Sequence, residues 1–263
     1  MGVSDCYTID VQRHVFTHAG LRLSYLDAGG SGRPLIALHA HWMEAATWRP
    51  LAEALAPAWR VIAPDQRGHG ESDHALSYSR GDYLGDLDAL IAKLELRDLV
   101  LLGNSLGGVN AYQYAARHPV RGLIVEEIGA VINDKQDFAL AWRGTYPTRE
   151  ALEEKIGPRL APYLRESMRE TADGWTLAFS PDDMVKSQAA LNGEHWRDWT
   201  ASRCPALLVR GADSRLTEHH HFEEMVRRRP NTELVELPGG HLVHVDAPGP
   251  FTEAVRAFLK TLA

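Results

Sequence analysis

Apolar residues along this chain alternate between two patterns. Short unbroken runs such as "PLIALHA" (Pro34 to Ala40), "WRVIAPD" (from Trp59), "DLVLLG" (from Asp98) and "RGLIVEEIGA" (from Arg121) have the length of strands buried on both faces. Between them the spacing lengthens. From Arg80 to Leu96, Tyr83, Leu84, Leu87, Leu90, Ile91 and Leu94 recur every three or four positions, which predicts a helix. "TWRPLAEALA" and the segment after Ser105 carry the same helical spacing. Ahead of all these, "VQRHVFT" (from Val11) and "LRLSYLDAG" (from Leu21) flank "HAG" and predict a hairpin. Strands separated by helices pair in parallel through right-handed crossovers, so the expected class is α/β, a mostly parallel sheet covered on both faces.

The rhythm stops near Val131. To about Ser202 only helix-like pieces are visible, broken by "GTYP", "GPRLAP" and "FSPDD". It resumes with "CPALLVRGA", a helix from about Thr217 to Arg229, "TELVEL", and a last helix from Gly249 to Leu262. The expected organisation is an α/β core formed by 1–130 and 203–263, with 131–202 inserted as a helical cap. Four of the seven tryptophans (Trp142, Trp175, Trp196, Trp199) fall in the insert, either to fill its own small core or to line a pocket.

Length and charge narrow the picture. A chain of 263 residues is long enough for one full core, and 44% apolar with 24% charged residues is a globular composition. The formal net charge of -7 argues against nucleic acid or an anionic membrane as partner. Cys6 near the start and Cys204 before an apolar run give no disulfide framework, which fits a reducing compartment. "MGVSDCYTID" carries no basic-then-apolar leader, so a cytoplasmic protein is expected.

The chemistry concentrates at "GNSLG", Gly103 to Gly107, at a predicted strand-to-helix junction. G-x-S-x-G is a weak signal alone, but there a tight turn needs glycines and holds the serine hydroxyl over the carboxyl end of the sheet. A neutral hydroxyl needs a base within reach. Of the thirteen histidines, His14, His18, His74, His118 and His195 have the look of surface or turn residues. His219, His220 and His221 are consecutive and cannot share one helix face as metal ligands would. His241 differs: "LPGGHLVHVDAPGPF" places it in a glycine-rich loop after the last predicted strand, at the same sheet edge as Ser105. His244, three residues on, is the second choice.

Taken together, "LHAHWMEAATW", "PDQRGHGESD", "GNSLGG" and "PGGH" make the chain resemble, over nearly its whole length, the cap-bearing α/β-hydrolases: soluble esterases, haloperoxidase-like enzymes and carbon–carbon hydrolases. The resemblance implies Ser105 as nucleophile, His241 as base, and the backbone N–H groups of His41 and Leu106 as oxyanion hole. Ala40 stands where relatives usually have glycine, a change that keeps the N–H. For the acid, most relatives use the position that Ser214 holds here, and others the next, held by Arg215. Asp213 is the only carboxylate in that turn and is the first choice, unless it is simply a turn-forming residue. Haloalkane dehalogenases and some other relatives take the acid from the end of the strand after the elbow helix, where Glu127, beside Glu126, is the alternative.

The expected function is a serine hydrolase of carboxylic esters or related acyl compounds. Carbon–carbon bond hydrolysis, or a small-molecule receptor with weak turnover, are the alternatives. Dehalogenase and epoxide hydrolase chemistry is disfavoured, because those relatives have aspartate in place of Ser105. No nucleotide loop, dinucleotide fingerprint or Cys/His ligand spacing is present, so no cofactor and no metal are expected. The expected partner is a small-molecule substrate, a moderately hydrophobic ester.

Overall fold

The computed structural model describes residues 10–262, so Cys6 and the N-terminal stretch read above lie outside it. The chain opens with a hairpin, β1 (Gln12–His18) and β2 (Leu21–Asp27), then β3 (Arg33–Leu38), α1 (Arg49–Leu55) and β4 (Trp59–Pro64). Next come α2 (Arg80–Lys93), β5 (Val100–Asn104), α3 (Leu106–Ala115) and β6 (Gly122–Glu126). After the insert follow β11 (Ala206–Gly211), α7 (His219–Arg228), β12 (Thr232–Leu237), the short α8 (Val243–Asp246) and α9 (Pro248–Thr261). One eight-stranded sheet results, ordered β1-β2-β4-β3-β5-β6-β11-β12. The β1–β2 and β2–β4 pairs are antiparallel and every other pair is parallel.

Strand periodicity explains why the apolar runs are unbroken. Leu101, Leu123, Val125 and Leu208 face one layer, built from α2, α3 and α7. Their neighbours Leu102, Ile124, Leu207 and Val209 face the other, built from α1 and α9. Both faces of the sheet are dry, so the central strands run apolar until their carboxyl ends, where Asn104, Glu126 and Arg210 stand. Helix α2 starts on a capping box between Ser79 and Asp82. It stops at Lys93, short of the expected Leu96, because Glu95 takes φ 51°.

The insert departs from an all-helical expectation. It holds α4 (Arg149–Ile156), α5 (Pro181–Leu191), α6 (Trp196–Ala201) and two short helical turns, but also two β pairs. These are β7 (Val131–Ile132) with β10 (Gly193–Glu194), and the hairpin β8 (Met168–Thr171) with β9 (Gly174–Leu177). The hairpin strands are four residues long and largely solvated, so they carry no alternation for a sequence to display. Trp142 and Trp175 pack in the insert's own cluster with Leu152, Met168 and Met184. Trp199 and Trp196 join the main core instead, Trp199 edge-on to Tyr112 at 6.0 Å. Among the described residues no helix is long and apolar enough to cross a membrane.

Candidate active site

The parallel strands all end at one edge of the sheet, and the loops that leave β3, β5, β6, β11 and β12 carry the candidate residues. Open α/β sheets bind ligands at this edge. Between β5 and α3 the chain reverses within one residue, leaving Ser105 at φ 52°, ψ −115°. The turn is that tight because nothing separates strand from helix. A Cβ on Gly103 would lie 2.1 Å from the Gly107 carbonyl oxygen, and one on Gly107 2.2 Å from that of Leu38. Of the seven described non-glycine residues with positive φ, three (Trp42, Ser105 and Glu127) sit at this edge. Strain of this kind costs on the order of 1–3 kcal/mol per residue and persists only where the surroundings over-determine it.

Glu127, not Asp213, meets the His241 ring. The Glu127 carboxylate is fully buried, with Oε2 3.5 Å from His241 Nδ1. It accepts the Gly211 N–H at 2.7 Å on Oε1 and the Ser214 hydroxyl on Oε2. Asp213 is exposed, its N–H held by the Gly239 carbonyl at 2.9 Å, and among the described residues its carboxylate makes no bond to His241. The physical reason is a handover between two turns. Ser214 is buried in the same turn as Asp213, and its hydroxyl supports the longer carboxylate that comes from the end of β6. Glu127 takes φ 52° and donates its N–H to the Val209 carbonyl at 3.0 Å, which turns its side chain inward beneath the ring.

Ser105 and His241 come from loops far apart in sequence, and Asn104, the residue before Ser105, ties the two loops together. Its amide donates to the His241 carbonyl at 3.0 Å and to the Glu126 carbonyl at 3.3 Å. The Ser105 N–H donates to that same Glu126 oxygen at 3.0 Å. The Ser105 hydroxyl makes no hydrogen bond to another described residue, so its approach to the imidazole is not closed here. Such bonds commonly tighten only with substrate bound. Leu106, first residue of α3, has no intrahelical acceptor for its N–H. Among the described residues the His41 N–H likewise finds no acceptor. Both N–H groups belong to turns flanking Ser105.

Segment 131–202 touches the loop after β3. Its Ser187 hydroxyl lies 2.8 Å from His41 Nε2 and 2.8 Å from the Tyr83 hydroxyl, and its Ser167 hydroxyl donates to the Trp42 carbonyl at 2.7 Å. Trp42 meets Phe138 and Trp142 edge-on at 5.4 and 5.3 Å, an aromatic wall beside the polar turns. Arg169 reaches back to Glu44 at 2.6 Å, yet burial still pushes the Glu44 carboxyl up to about 7.

Three buried imidazoles stand under the His41 turn, and reading the sequence alone missed two of them. His39 Nδ1 bonds the Ala40 carbonyl at 2.7 Å while Nε2 accepts the Gln66 N–H at 2.9 Å, which fixes a neutral ring. Burial lowers its pKa to about 4, and that of His69, 4.9 Å away ring to ring, to about 3. His41 is pushed well below its ordinary value by burial and by the neighbouring His69. The local signal for these rings was only their place in the two loop motifs.

A family model described as the alpha/beta hydrolase family matches residues 35–254. The chain is 28% identical over 250 residues to 2-(acetamidomethylene)succinate hydrolase of Mesorhizobium japonicum, covering 88% of this chain and 89% of that one. It is 36% identical over 270 residues to a haloalkane dehalogenase of the same organism, covering 90% and 87%. The crystal structure of E-2-(acetamidomethylene)succinate hydrolase superposes with a TM-score of 0.86 at 25% identity, covering 95% of this chain and all of that one.

Proposed function

We propose that this chain, which belongs to the alpha/beta hydrolase family, is a serine hydrolase that cleaves carboxylic esters or related acyl compounds through an acyl-enzyme. The observation that carries this reading is the buried Glu127 carboxylate against His241 Nδ1, on a loop tied to the strained Ser105 turn. Ser105 Oγ attacks the substrate carbonyl while His241 Nε2 takes its proton. Glu127 keeps the proton on Nδ1 and stabilises the imidazolium that forms. The N–H groups of His41 and Leu106 receive the oxyanion of the tetrahedral intermediate. Collapse expels the alcohol with the proton from His241, and water then cleaves the acyl-enzyme with His241 again as base. Residues 131–202 act as the cap, and its aromatic wall favours a moderately hydrophobic acyl or alcohol group.

The likeness to a haloalkane dehalogenase does not extend to the chemistry. A serine alkylated by a haloalkane would become an ether, which the same machinery cannot hydrolyse, whereas an acylated serine is an ester that it can. Labelling with a fluorophosphonate, mapped by peptide mass, is expected to place the adduct on Ser105 in the wild type and nowhere in Ser105→Ala. Turnover of p-nitrophenyl acetate and butyrate should disappear with it. An adduct on another residue, or none at pH 8, overturns the reading; ligand binding without any adduct would replace it with a receptor.

A smaller effect tests the support of the acid. Ser214→Ala leaves the Gly211 N–H and the His241 Nδ1–H as donors to the Glu127 carboxylate. One charge-assisted bond is worth roughly 1.5–3 kcal/mol, part of which bears on the imidazolium state. A drop in kcat of about tenfold with little change in KM is expected in steady-state kinetics on p-nitrophenyl butyrate.

A further inference from the structure

Strand β6 leads into two consecutive carboxylates, both fully buried, and the mechanism above uses only one of them. Glu126 is bonded in two directions. Its carbonyl oxygen accepts the Ser105 N–H at 3.0 Å. Its carboxylate accepts the backbone N–H of His244 at 2.9 Å and the His244 Nδ1–H, with both oxygens 2.9 Å from that nitrogen. With Nδ1 donating, His244 Nε2 accepts from the Thr47 hydroxyl at 2.8 Å, and the ring stacks on Trp48 at 4.1 Å. Thr47 lies in the helical turn Ala45–Trp48 that follows the His41 loop. The nucleophile turn and the histidine loop therefore fasten to Glu126 directly, and the segment after the His41 loop is joined to it through the His244 ring.

We propose that Glu126 is a positioning residue, whose carbonyl oxygen holds the Ser105 N–H and whose carboxylate holds the His244 N–H and ring, so that it sets the gap between nucleophile and base. The inference rests on the reading of Ser105 and His241 given above. Helix α8 is four residues long and cannot hold itself by its own turns, so the loop that carries His241 depends on side-chain ties. A buried carboxylate is a costly way to fill a core, and an apolar pair of the same volume would do that at no loss. What the apolar pair could not do is receive a backbone N–H and an imidazole N–H at fixed angles. The neighbouring tie, Asn104 to the His241 carbonyl, fixes only the main chain on the near side of the loop.

The test uses Glu126→Gln, His244→Ala and His244→Asn in the full chain. Readouts are kcat and KM on p-nitrophenyl butyrate, the rate of Ser105 phosphonylation, thermal melts, and the downfield imidazole N–H resonances in proton NMR. A misplacement of about an ångström can cost on the order of a hundredfold. Glu126→Gln and His244→Ala should therefore lower kcat and the phosphonylation rate about 10- to 100-fold, with KM within about twofold. The His241 Nδ1–H resonance, identified by its absence in Glu127→Gln, should broaden or move. His244→Asn, whose amide nitrogen takes the place of Nδ1, should recover most of the loss at a melting temperature no higher than that of His244→Ala. Wild-type kcat and an unmoved resonance in Glu126→Gln overturn the proposal, as does His244→Asn recovering no more than its melting temperature does. If Glu126→Gln does not fold, the two His244 variants decide. Ser105→Ala separates the failures: turnover persisting there removes the underlying reading, while a dead Ser105→Ala beside a fully active Glu126→Gln removes the positioning role alone.

Discussion

Glu127→Gln is expected to lower kcat by roughly a thousandfold or more, while Asp213→Asn changes it less than about threefold. The amide that replaces the Glu127 carboxylate would present either an N–H or an uncharged oxygen to His241 Nδ1. The first places the proton on the wrong nitrogen, and the second leaves the imidazolium of the transition state without a counter-charge. The Gly211 N–H can only donate, so it holds the amide oxygen at the Oε1 position and leaves the amide N–H at the Oε2 position facing His241 Nδ1, which favours the wrong tautomer. Asp213 is exposed at the rim of the same turn, and among the described residues its carboxylate makes no hydrogen bond to the ring. Steady-state kinetics on p-nitrophenyl butyrate, with circular dichroism to verify folding, measure both variants. A crippled Asp213→Asn beside an active Glu127→Gln would return the acid to the β11 turn.

The contrast between these two carboxylates also marks how far the chain could be read. Sheet and crossover helices were legible because burial on both faces leaves a mark at every position, as in "LVLL" of β5. The Ser105 turn and His241 were legible because tight loops demand glycines at set offsets. The choice between Asp213 and Glu127 was not. It turns on one residue with φ 52° and on a serine in place of a carboxylate, and neither has a periodic signature. The same holds for His244 and Thr47, 197 residues apart yet 2.8 Å distant. A local reading sees a histidine in a loop and cannot see its partner. Glu126 was legible only as the neighbour of Glu127, and what it holds becomes visible only in the fold.

Two buried imidazoles are expected to destabilise this protein as pH falls from about 6.5 toward 4. His39 and His69 are held neutral by burial, with pKa values near 4 and 3 against an ordinary 6.5. The folded-state values lie below the unfolded ones, so the unfolded chain binds more protons between them, and stability is lost as pH falls through 6.5 toward 4. At pH 5 each imidazole contributes about 2 kcal/mol of that loss, roughly 4 kcal/mol for the pair. For a chain of this size the imidazole pair alone would lower Tm by roughly 10 °C between about pH 7.5 and 5. The buried Glu44 carboxyl, pushed up to about 7, opposes part of this by taking up a proton in the folded state over the same range. Geometry makes the penalty specific. Protonating His39 turns Nε2 from the acceptor of the Gln66 N–H into a second donor facing it. A charge on His69 would sit 4.9 Å from the His39 ring and 6.0 Å from His41, beneath the turn proposed to bind the oxyanion. His39→Gln, whose side-chain oxygen can take over the bond from Gln66 without titrating, should remove about half of the loss that this pair contributes. Thermal melts of both proteins across this range measure it. Parallel curves for wild type and His39→Gln would mean that the loss of stability arises elsewhere, and that the imidazole beneath the oxyanion turn does not set the acid limit of the fold.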